Sequence, residues 1–512
     1  MARSTSGTRG NVALCGKDGR GVAMTCMAML ALALPAGGLA QSSGGAYVPE
    51  SLREAAAAQP GQKFSVIVEQ EGGDDGAEAR DAVKRHSGKV KREFGVVPGV
   101  AAEVTGAQLL QLAAKSAGLS ITRDSAVRSA TYQDSEMWRQ TIAVEGLWGT
   151  PQSPAPQAPA IAIVDSGVDS SLLDDFGSRV VAQTVICSLC SAGASGDGQG
   201  HGTMVAGLAA GSGVGHQGAA PNAPIVSIRT SNEHGQSSVS DVIAATDWII
   251  ANKAQYNIRV ANFSLSRADV TNSNHDPLNH AVERLWFNDV VVVTAAGNYG
   301  SSTGPVRIKA PGSDPFVITV GAVDQYGTTI ASDDTVPTWS AHGHSVLGFA
   351  KPDVSAPGRY LVSPVPTRAT LPTTLPERVL TSGYMWMSGT SFSSGIVAGA
   401  AAQILARHPD WSPDQVKGAL MLTVRALPTE GWKGGVGEID AAAATRISAP
   451  PNPNANLYAF VLGTGGARSF DGAAWNTYVA ANPTWAASTW TESTWSESSW
   501  NESSWNESSW NE

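Results

Sequence analysis

The chain has 512 residues, of which 42% are hydrophobic and only 15% are charged, and its formal net charge is −10. This composition excludes a chain that is disordered throughout, because such chains carry fewer hydrophobic residues and more charge. It also argues against a nucleic-acid-binding protein, because phosphate contacts require clustered lysine and arginine.

The first 40 residues have the pattern of a secretory signal peptide. Four basic residues precede an apolar run over 21–34, and small residues follow as far as Ala40. This order is typical of a leader that is removed after export. The apolar run is shorter than the ~20 residues that a membrane-spanning helix needs. We therefore predict a secreted protein, either extracellular or associated with the cell surface.

Residues 41–130 predict a linker followed by a small folded domain that occupies about 62–130. The predicted elements are a strand at 64–69, a helix at 77–86, two extended pieces between 96 and 104, a helix at 109–117 behind a capping box, and a strand at 120–123. The order β-α-β-β-α-β is typical of a ferredoxin-like α+β domain.

Apolar strands alternate with helical stretches over about 131–448, which predicts an α/β domain built on a parallel sheet. Four polar residues stand at predicted strand ends or helix starts in this region. Asp165 ends an apolar strand, and Asn298 follows another. His201 and Ser391 each begin a helix of small residues. Parallel strands end at one edge of a sheet, where α/β folds place their sites.

Each of these residues suits a step of acyl transfer. A helix N-terminus disfavours a histidine cation, so we expect His201 to be neutral near pH 7 and able to act as a general base. Ser391 is a candidate nucleophile, and Asn298 offers an amide donor to an oxyanion. Taken singly, the four residues also have ordinary structural interpretations, such as a strand end, a capping histidine, a helix cap or a turn.

The order Asp, His, Ser along the chain is the one that distinguishes the subtilisin arrangement from other triad folds. The motifs are DSGVD at 165–169, HGTMVAG at 201–207, AAGN at 295–298 and GTSFSSGIVAGA at 389–400. On these motifs the chain resembles the subtilisin-like serine proteases (subtilases, peptidase family S8) over about 138–445. The resemblance implies a doubly wound parallel sheet with flanking helices.

The resemblance also implies roles for individual residues. Asp165, His201 and Ser391 would form the catalytic triad, with Asn298 and the Ser391 amide as the oxyanion hole. The substrate, a protein or peptide, would bind between two cleft walls, formed by Ser264, Leu265 and Ser266 on one side and by Ala295, Ala296 and Gly297 on the other. Catalysis would require no cofactor. Subtilases often bind structural calcium, but no Asp-rich calcium loop is visible, so the metal question stays open.

In such a protease residues 1–40 would be the signal peptide, 41–130 an inhibitory propeptide and 131–448 the catalytic domain. Self-cleavage is expected near Ala130–Thr131. The chain departs from the family pattern at Phe392, Gly395 and Ile396, and at Ser266–Arg267. Two interpretations of Arg267 stay open: it favours acidic residues in the substrate, or it simply reaches solvent.

Cys187 and Cys190 form a CxxC pair upstream of His201. In a secreted protein such a pair predicts a disulfide that closes a small loop. A redox or metal role and a pair of free thiols are the alternatives, although two thiols make an incomplete zinc site.

Residues 449–512 predict a linker and a low-complexity tail. Tryptophan recurs every five residues from 485 to 510, a period that gives neither a helical stripe nor a one-faced strand. Two interpretations remain: a disordered tail, or a module that binds the cell envelope, a polysaccharide or a partner through its aromatic rings. Under both, deletion of 449–512 should leave peptide hydrolysis intact.

Three functions are compatible with this organisation. The first is a secreted endopeptidase of broad specificity. The second is a surface adhesion protein with a vestigial protease domain, which the intact set of four site residues disfavours. The third is a dedicated processing protease with a single substrate.

Overall fold

A computed structural model describes residues 45–70, 76–124, 137–150, 152–381, 383–427 and 430–482. The predicted signal peptide, the predicted self-cleavage site and the tryptophan repeat lie outside these ranges. The chain divides into two compact units, 1–128 and 129–512. Within the described ranges, no helix combines the length and the apolar character needed to span a bilayer.

The first unit contains a four-stranded antiparallel sheet in the order β2-β3-β1-β4. Its elements are α1 Glu50–Ala58, β1 Lys63–Gln70, α2 Ala77–Arg85, β2 Lys89–Glu93, β3 Gly99–Thr105, α3 Gly106–Lys115 and β4 Leu119–Arg123. The predicted order of elements and the capping box at Thr105 and Gln108 are both present. Of the two extended pieces expected between 96 and 104, however, only the second is a strand, β3, and its neighbour β2 lies earlier, at Lys89–Glu93. The sheet order is that of a ferredoxin-like domain.

Helix α1 corrects the expected linker at 41–60. Its sequence, ESLREAAAA, is rich in alanine, the strongest helix former. Leu52 and Ala56, four residues apart on one face, are buried in the core of this unit. The folded part of the first unit therefore begins before residue 62.

The second unit is built on a seven-stranded parallel sheet in the order β16-β13-β11-β10-β7-β9-β8. The strands of the whole second unit, including those outside this sheet, are β5 Gly149–Thr150, β6 Ser153–Pro154, β7 Ala160–Asp165, β8 Val180–Val185, β9 Ile225–Arg229, β10 Ile258–Phe263, β11 Val291–Ala295, β12 Val306–Arg307, β13 Ile318–Val323, β14 Gly343–His344, β15 Ala350–Lys351, β16 Val354–Pro357, β17 Leu361–Pro364, β18 Val379–Thr381, β19 Tyr384–Met387, β20 Val461–Leu462 and β21 Ser469–Phe470. The α/β doubly wound architecture expected from the sequence is confirmed.

Helices flank this sheet and enclose its core. They are α4 Trp138–Thr141, α5 Leu173–Phe176, α6 His201–Ala210, α7 Val239–Tyr256, α8 Pro277–Trp286, α9 Thr370–Thr374, α10 Thr390–Arg407, α11 Pro413–Leu422, α12 Ala441–Ala444 and α13 Gly472–Ala481. Strands β8 and β9 lie on one side of β7, and β10, β11, β13 and β16 lie on the other. The winding direction reverses beside β7, and ligands of such sheets bind outside the strand ends at this switch point.

The chain beyond residue 448 is not a linker as far as residue 482. Leu457, Phe470 and Trp475 are buried in the main core of the second unit, and Asn454 is fully buried beside them. We refer to residues 449–482 as the C-terminal extension.

Candidate active site

Asp165 and His201 meet at the switch point of the sheet. Strand β7 ends at Asp165, helix α6 begins at His201, and His201 Nδ1 lies 2.8 Å from Asp165 Oδ1. The same carboxylate oxygen accepts the Ser166 amide at 2.7 Å. Since Nδ1 is held by the carboxylate, Nε2 is the imidazole nitrogen left to exchange a proton.

The pKa of His201 is raised above its usual value. Burial, the largest single influence, would lower it, but the charge of Asp165, the hydrogen bond to Asp165 and the charge of Asp197 raise it and together outweigh burial. The sequence argument considered only the helix N-terminus, which disfavours the cation. Because of the carboxylate of Asp165, the pKa of His201 shifts up, whereas the helix N-terminus alone would shift it down.

Ser391 lies in the first turn of α10, the helix that packs against α6. The two helices approach closely because the contact is made by small residues: a Cβ added at Gly395 would lie 2.9 Å from the carbonyl oxygen of Val205. Phe392, which follows Ser391, has its ring centre 5.3 Å from that of His201. Gly395, one of the departures from the family pattern, thus lies at the contact between the two helices that carry His201 and Ser391.

The Ser391 hydroxyl is tied to one of the expected cleft walls. Its Oγ donates to the carbonyl oxygen of Ser264 at 3.3 Å, and Ser264 Oγ donates in return to the carbonyl oxygen of Ser391 at 2.7 Å. Asn262, at the end of β10, donates to Ser264 Oγ at 2.8 Å. The end of β10 is therefore fixed against the first turn of α10.

Asn298 follows the end of β11 and is held by Thr390. Its Oδ1 accepts the Thr390 amide at 2.9 Å and the Thr390 hydroxyl at 3.0 Å. Because Oδ1 is occupied, the exposed end of the side chain is the Nδ2 donor. A Cβ at Gly389 would stand 3.2 Å from this nitrogen, so glycine keeps the space in front of it open.

Thr390 is a site residue that the sequence argument missed. It is fully buried, and besides donating to Asn298 its hydroxyl accepts the Gly297 amide at 3.1 Å. One side chain thus fixes both the amide donor and the cleft wall that ends at Gly297. The only signal in the sequence is its position directly before Ser391.

We expect Thr390→Val to lower kcat about tenfold, a part of the 10²–10³ that is lost when an oxyanion donor is itself removed. Valine keeps the shape of threonine but can neither donate to Asn298 nor accept from Gly297. The effect should fall on kcat more than on KM, because the donor acts on the transition state. Thr390→Ser, which retains the hydroxyl, is the control. Equal kcat values for the two variants would contradict this role.

The two expected cleft walls lie at the ends of neighbouring parallel strands. Ser264, Leu265 and Ser266 follow β10, and Ala295 to Gly297 end and follow β11, with Phe263 paired to Thr294 in register. The structure therefore places all six predicted substrate-binding residues at one edge of the sheet, and one of them, Ser264, is hydrogen-bonded to Ser391.

Arg267, beside the first wall, already has acidic partners. Its guanidinium donates to both carboxylate oxygens of Asp269, at 3.0 and 3.1 Å, and lies 3.5 Å from the buried Asp276. The interpretation that the side chain simply reaches solvent is therefore wrong, whereas a preference for acidic residues in the substrate stays a prediction, with Asp269 and Asp276 competing for the charge.

Cys187 and Cys190 are joined by a disulfide. Between them, the amide and hydroxyl of Ser188 donate to Asp241 at 2.8 Å each, which anchors the small loop to α7. Across the part of the chain that the structure describes, no group of three or more His, Cys, Asp or Glu side chains is arranged to hold a metal ion.

Comparison with known proteins agrees with this arrangement. Residues 157–438 match the model of the Subtilase family. The serine protease AprX of Bacillus subtilis (strain 168) is 31% identical over 399 residues, which cover 73% of this chain and 84% of the relative. Subtilisin E of the same strain is 28% identical over 378 residues, covering 72% and 86%. Subtilisin DY of Bacillus licheniformis is 32% identical over 286 residues, covering 55% and 90%.

Proposed function

The chain belongs to the subtilase family and is a serine endopeptidase, and on this premise we propose that it hydrolyses peptide bonds through Ser391, His201 and Asp165. The observation that carries the assignment is the 2.8 Å bond between Asp165 and His201 at the start of α6, the helix that packs on α10 and Ser391.

Ser391 Oγ attacks the scissile carbonyl while His201 Nε2 takes the hydroxyl proton. Before reaction Ser391 donates to the carbonyl oxygen of Ser264, at the long distance of 3.3 Å. It exchanges this weak bond for one to His201 when substrate enters the cleft. His201 then gives its proton to the leaving amine, and water hydrolyses the acyl-enzyme by the same route in reverse. Asp165 orients the imidazole and stabilises its cation throughout.

The oxyanion is stabilised by Asn298 Nδ2 and by the Ser391 amide at the N-terminus of α10. The amide suits this role because the first N–H groups of a helix have no partner within the helix. Substrates are proteins or peptides, which bind as an added strand between the walls at Ser264–Ser266 and Ala295–Gly297. Catalysis needs no cofactor, since both the charge and the proton are handled by these side chains.

We expect kcat/KM to fall on the acid side as His201 becomes protonated. A general base works in its neutral form, so activity is complete above its pKa and is lost as pH falls through it. Because Asp165 raises the pKa of His201, this loss should be centred above the usual imidazole value of 6.5. The pH dependence of kcat/KM on a small peptide substrate measures it. A midpoint below that value would contradict a raised pKa of His201.

The protein is made as a secreted zymogen, with residues 1–40 as the signal peptide and 41–130 as an inhibitory propeptide. In support, the first unit has a compact core of its own and precedes the protease unit in the chain. A purified product whose N-terminus lies near Thr131 is the expected result. A mature N-terminus near Gln41 would contradict this maturation.

Contact of the tryptophan repeat with the cell envelope or polysaccharide stays a prediction on residues outside the described ranges.

A serine-reactive fluorophosphonate tests the proposed function directly. The purified protein should be labelled on a single peptide, with the modification at Ser391, and should hydrolyse casein. A peptide library then separates broad specificity, with many cleaved sequences, from a dedicated processing protease with one. Labelling elsewhere, or its absence in a folded mature protein, would refute the assignment.

A further inference from the structure

A second buried carboxylate, Asp197, lies four residues before His201. Only 7% of its surface is exposed. Its two oxygens accept five hydrogen bonds, at distances of 2.7 to 3.1 Å; the donors are Ser166 Oγ, the amides of Gln199, Gly200 and Thr203, and Thr203 Oγ1. Burial raises the pKa of Asp197 above its usual value, but all five partners donate to the carboxylate and therefore favour its ionised form.

These donors come from two separate parts of the site. Gly200 and Thr203 belong to the first turn of α6 and its entry, whereas Ser166 follows Asp165 at the end of β7. Ser166 itself has three roles: its amide donates to Asp165 Oδ1 at 2.7 Å, and its Oγ donates to Asp197 at 2.8 Å and accepts the Gly202 amide at 2.9 Å. The end of β7 and the start of α6 are thereby joined by one continuous network.

The charge of Asp197 also reaches His201. Two carboxylates, Asp165 on β7 and Asp197 in the loop, both raise the pKa of His201, and Asp165 has the larger influence. On the far side, Arg229 on β9 donates to the Ser195 and Gly196 carbonyls and lies 4.0 Å from Glu233. The positive N-terminus of α6 favours an anion at this position as well.

We propose that Asp197 is a positioning residue of the catalytic centre, which locks the turn after Asp165 to the start of α6 and so fixes the Asp165–His201 hydrogen bond. The inference rests on the proposed function, because it assigns Asp197 a role through His201. A displacement of about 1 Å between reacting groups can lower a rate 10²-fold, so such a lock matters even without contact to substrate.

Two variants separate the two effects of Asp197, which are its hydrogen bonds to the turn and helix start and its charge near His201. Asp197→Asn removes the charge and places an amide NH₂ group, itself a donor, among the five hydrogen-bond donors that Asp197 accepts. We expect kcat to fall about 10- to 100-fold and KM to change little. The acid limb of the pH profile, which is the loss of kcat/KM at low pH, should move to lower pH. Ser166→Ala removes the bridge but keeps the charge. It should lower kcat while leaving the acid limb in place. A residue with a purely structural role would not move the acid limb.

Asp414→Asn is the matched control. Asp414 is also a buried carboxylate, and it accepts hydrogen bonds from Trp286 and Asn454 in the second unit. Its loss should lower the melting temperature without changing kcat per labelled active site or the pH profile. This control distinguishes the loss of any buried carboxylate from the loss of the one next to His201.

Active-site titration with the fluorophosphonate normalises kcat and keeps two failures apart. If the wild-type protein is not labelled at Ser391, the proposed function fails. If it is labelled but folded Asp197→Asn retains wild-type kcat and pH profile, only the role of Asp197 fails. Should Asp197→Asn not fold, Ser166→Ala decides, and an unchanged kcat in that variant would overturn the inference.

Discussion

Ser391→Ala is expected to lower kcat by about 10⁶-fold, the loss measured when a subtilisin loses its nucleophile. Alanine cannot attack the carbonyl, and its neighbours offer no replacement, because Ser264 is engaged with the backbone of residue 391. The remaining turnover would come from the oxyanion hole and substrate binding alone. Substrate affinity should change little, since the hydroxyl contributes mainly in the transition state.

The fold should survive this substitution. Within the described residues, the Ser391 hydroxyl donates one hydrogen bond, and at 3.3 Å it is long, so little stability is lost with it. Ser393→Ala is the matched control, because Ser393 is a buried serine of the same helix whose hydroxyl donates to Pro357 at 3.1 Å. The control should bind the fluorophosphonate and hydrolyse peptides. Turnover by folded Ser391→Ala close to that of the control would refute the assignment of the nucleophile.

The predictable part of the site is the part that sheet topology fixes. Asp165 and Asn298 follow apolar strands, and parallel strands end at the same edge, so their proximity follows from the sequence pattern. His201 and Ser391 begin helices of small residues, and small residues permit the close approach of α6 and α10. In each case a local sequence pattern and one rule of packing or topology are sufficient to predict that the residue belongs to the site.

The residues that hold the site could not be predicted in the same way. Thr390 binds Asn298 across 92 positions of the chain, and Asp197 binds Ser166 across 31. Such bonds depend on the final packing of elements that are distant in sequence, and neither residue belongs to a periodic pattern. Asp197 carried a weak signal, as an acid in a glycine-rich loop just before His201.

The C-terminal extension was predicted to be a linker from its composition, but it is packed into the core of the second unit. Its buried residues Leu457, Phe470 and Trp475 lie on three different short elements, so they have neither the helical nor the strand period that indicates an amphipathic element. Prolines and asparagines at 450–456, directly before them, are typical of a linker. Burial here is imposed by the surface of the preceding fold, which the sequence pattern does not reveal.

Ending the chain at residue 448 should therefore abolish folding of the protease unit, contrary to what the sequence suggested. Each of these three buried side chains stabilises by about 1.5–3 kcal/mol, or about 5–9 kcal/mol together. Whole domains unfold at a cost of only about 5–15 kcal/mol. The truncation also removes hydrogen-bond partners of buried ionisable groups: Asn454 from Asp414 and Lys417, and the Phe470 amide from Glu283.

A chain that ends at Asn482 is the control, because it keeps α13 and removes only the tryptophan repeat. It should retain the wild-type melting temperature and kcat, whereas the chain ending at 448 should be insoluble or melt without a cooperative transition. If the shorter chain aggregates, Trp475→Ala gives the same test in solution, with an expected loss of about 3–5 kcal/mol in the free energy of unfolding. A wild-type melting temperature in either variant would show that the extension rests on the domain without stabilising it. The expected result would instead make residues 449–482, which continue past the end of the family match at 438, an integral part of this protease's core.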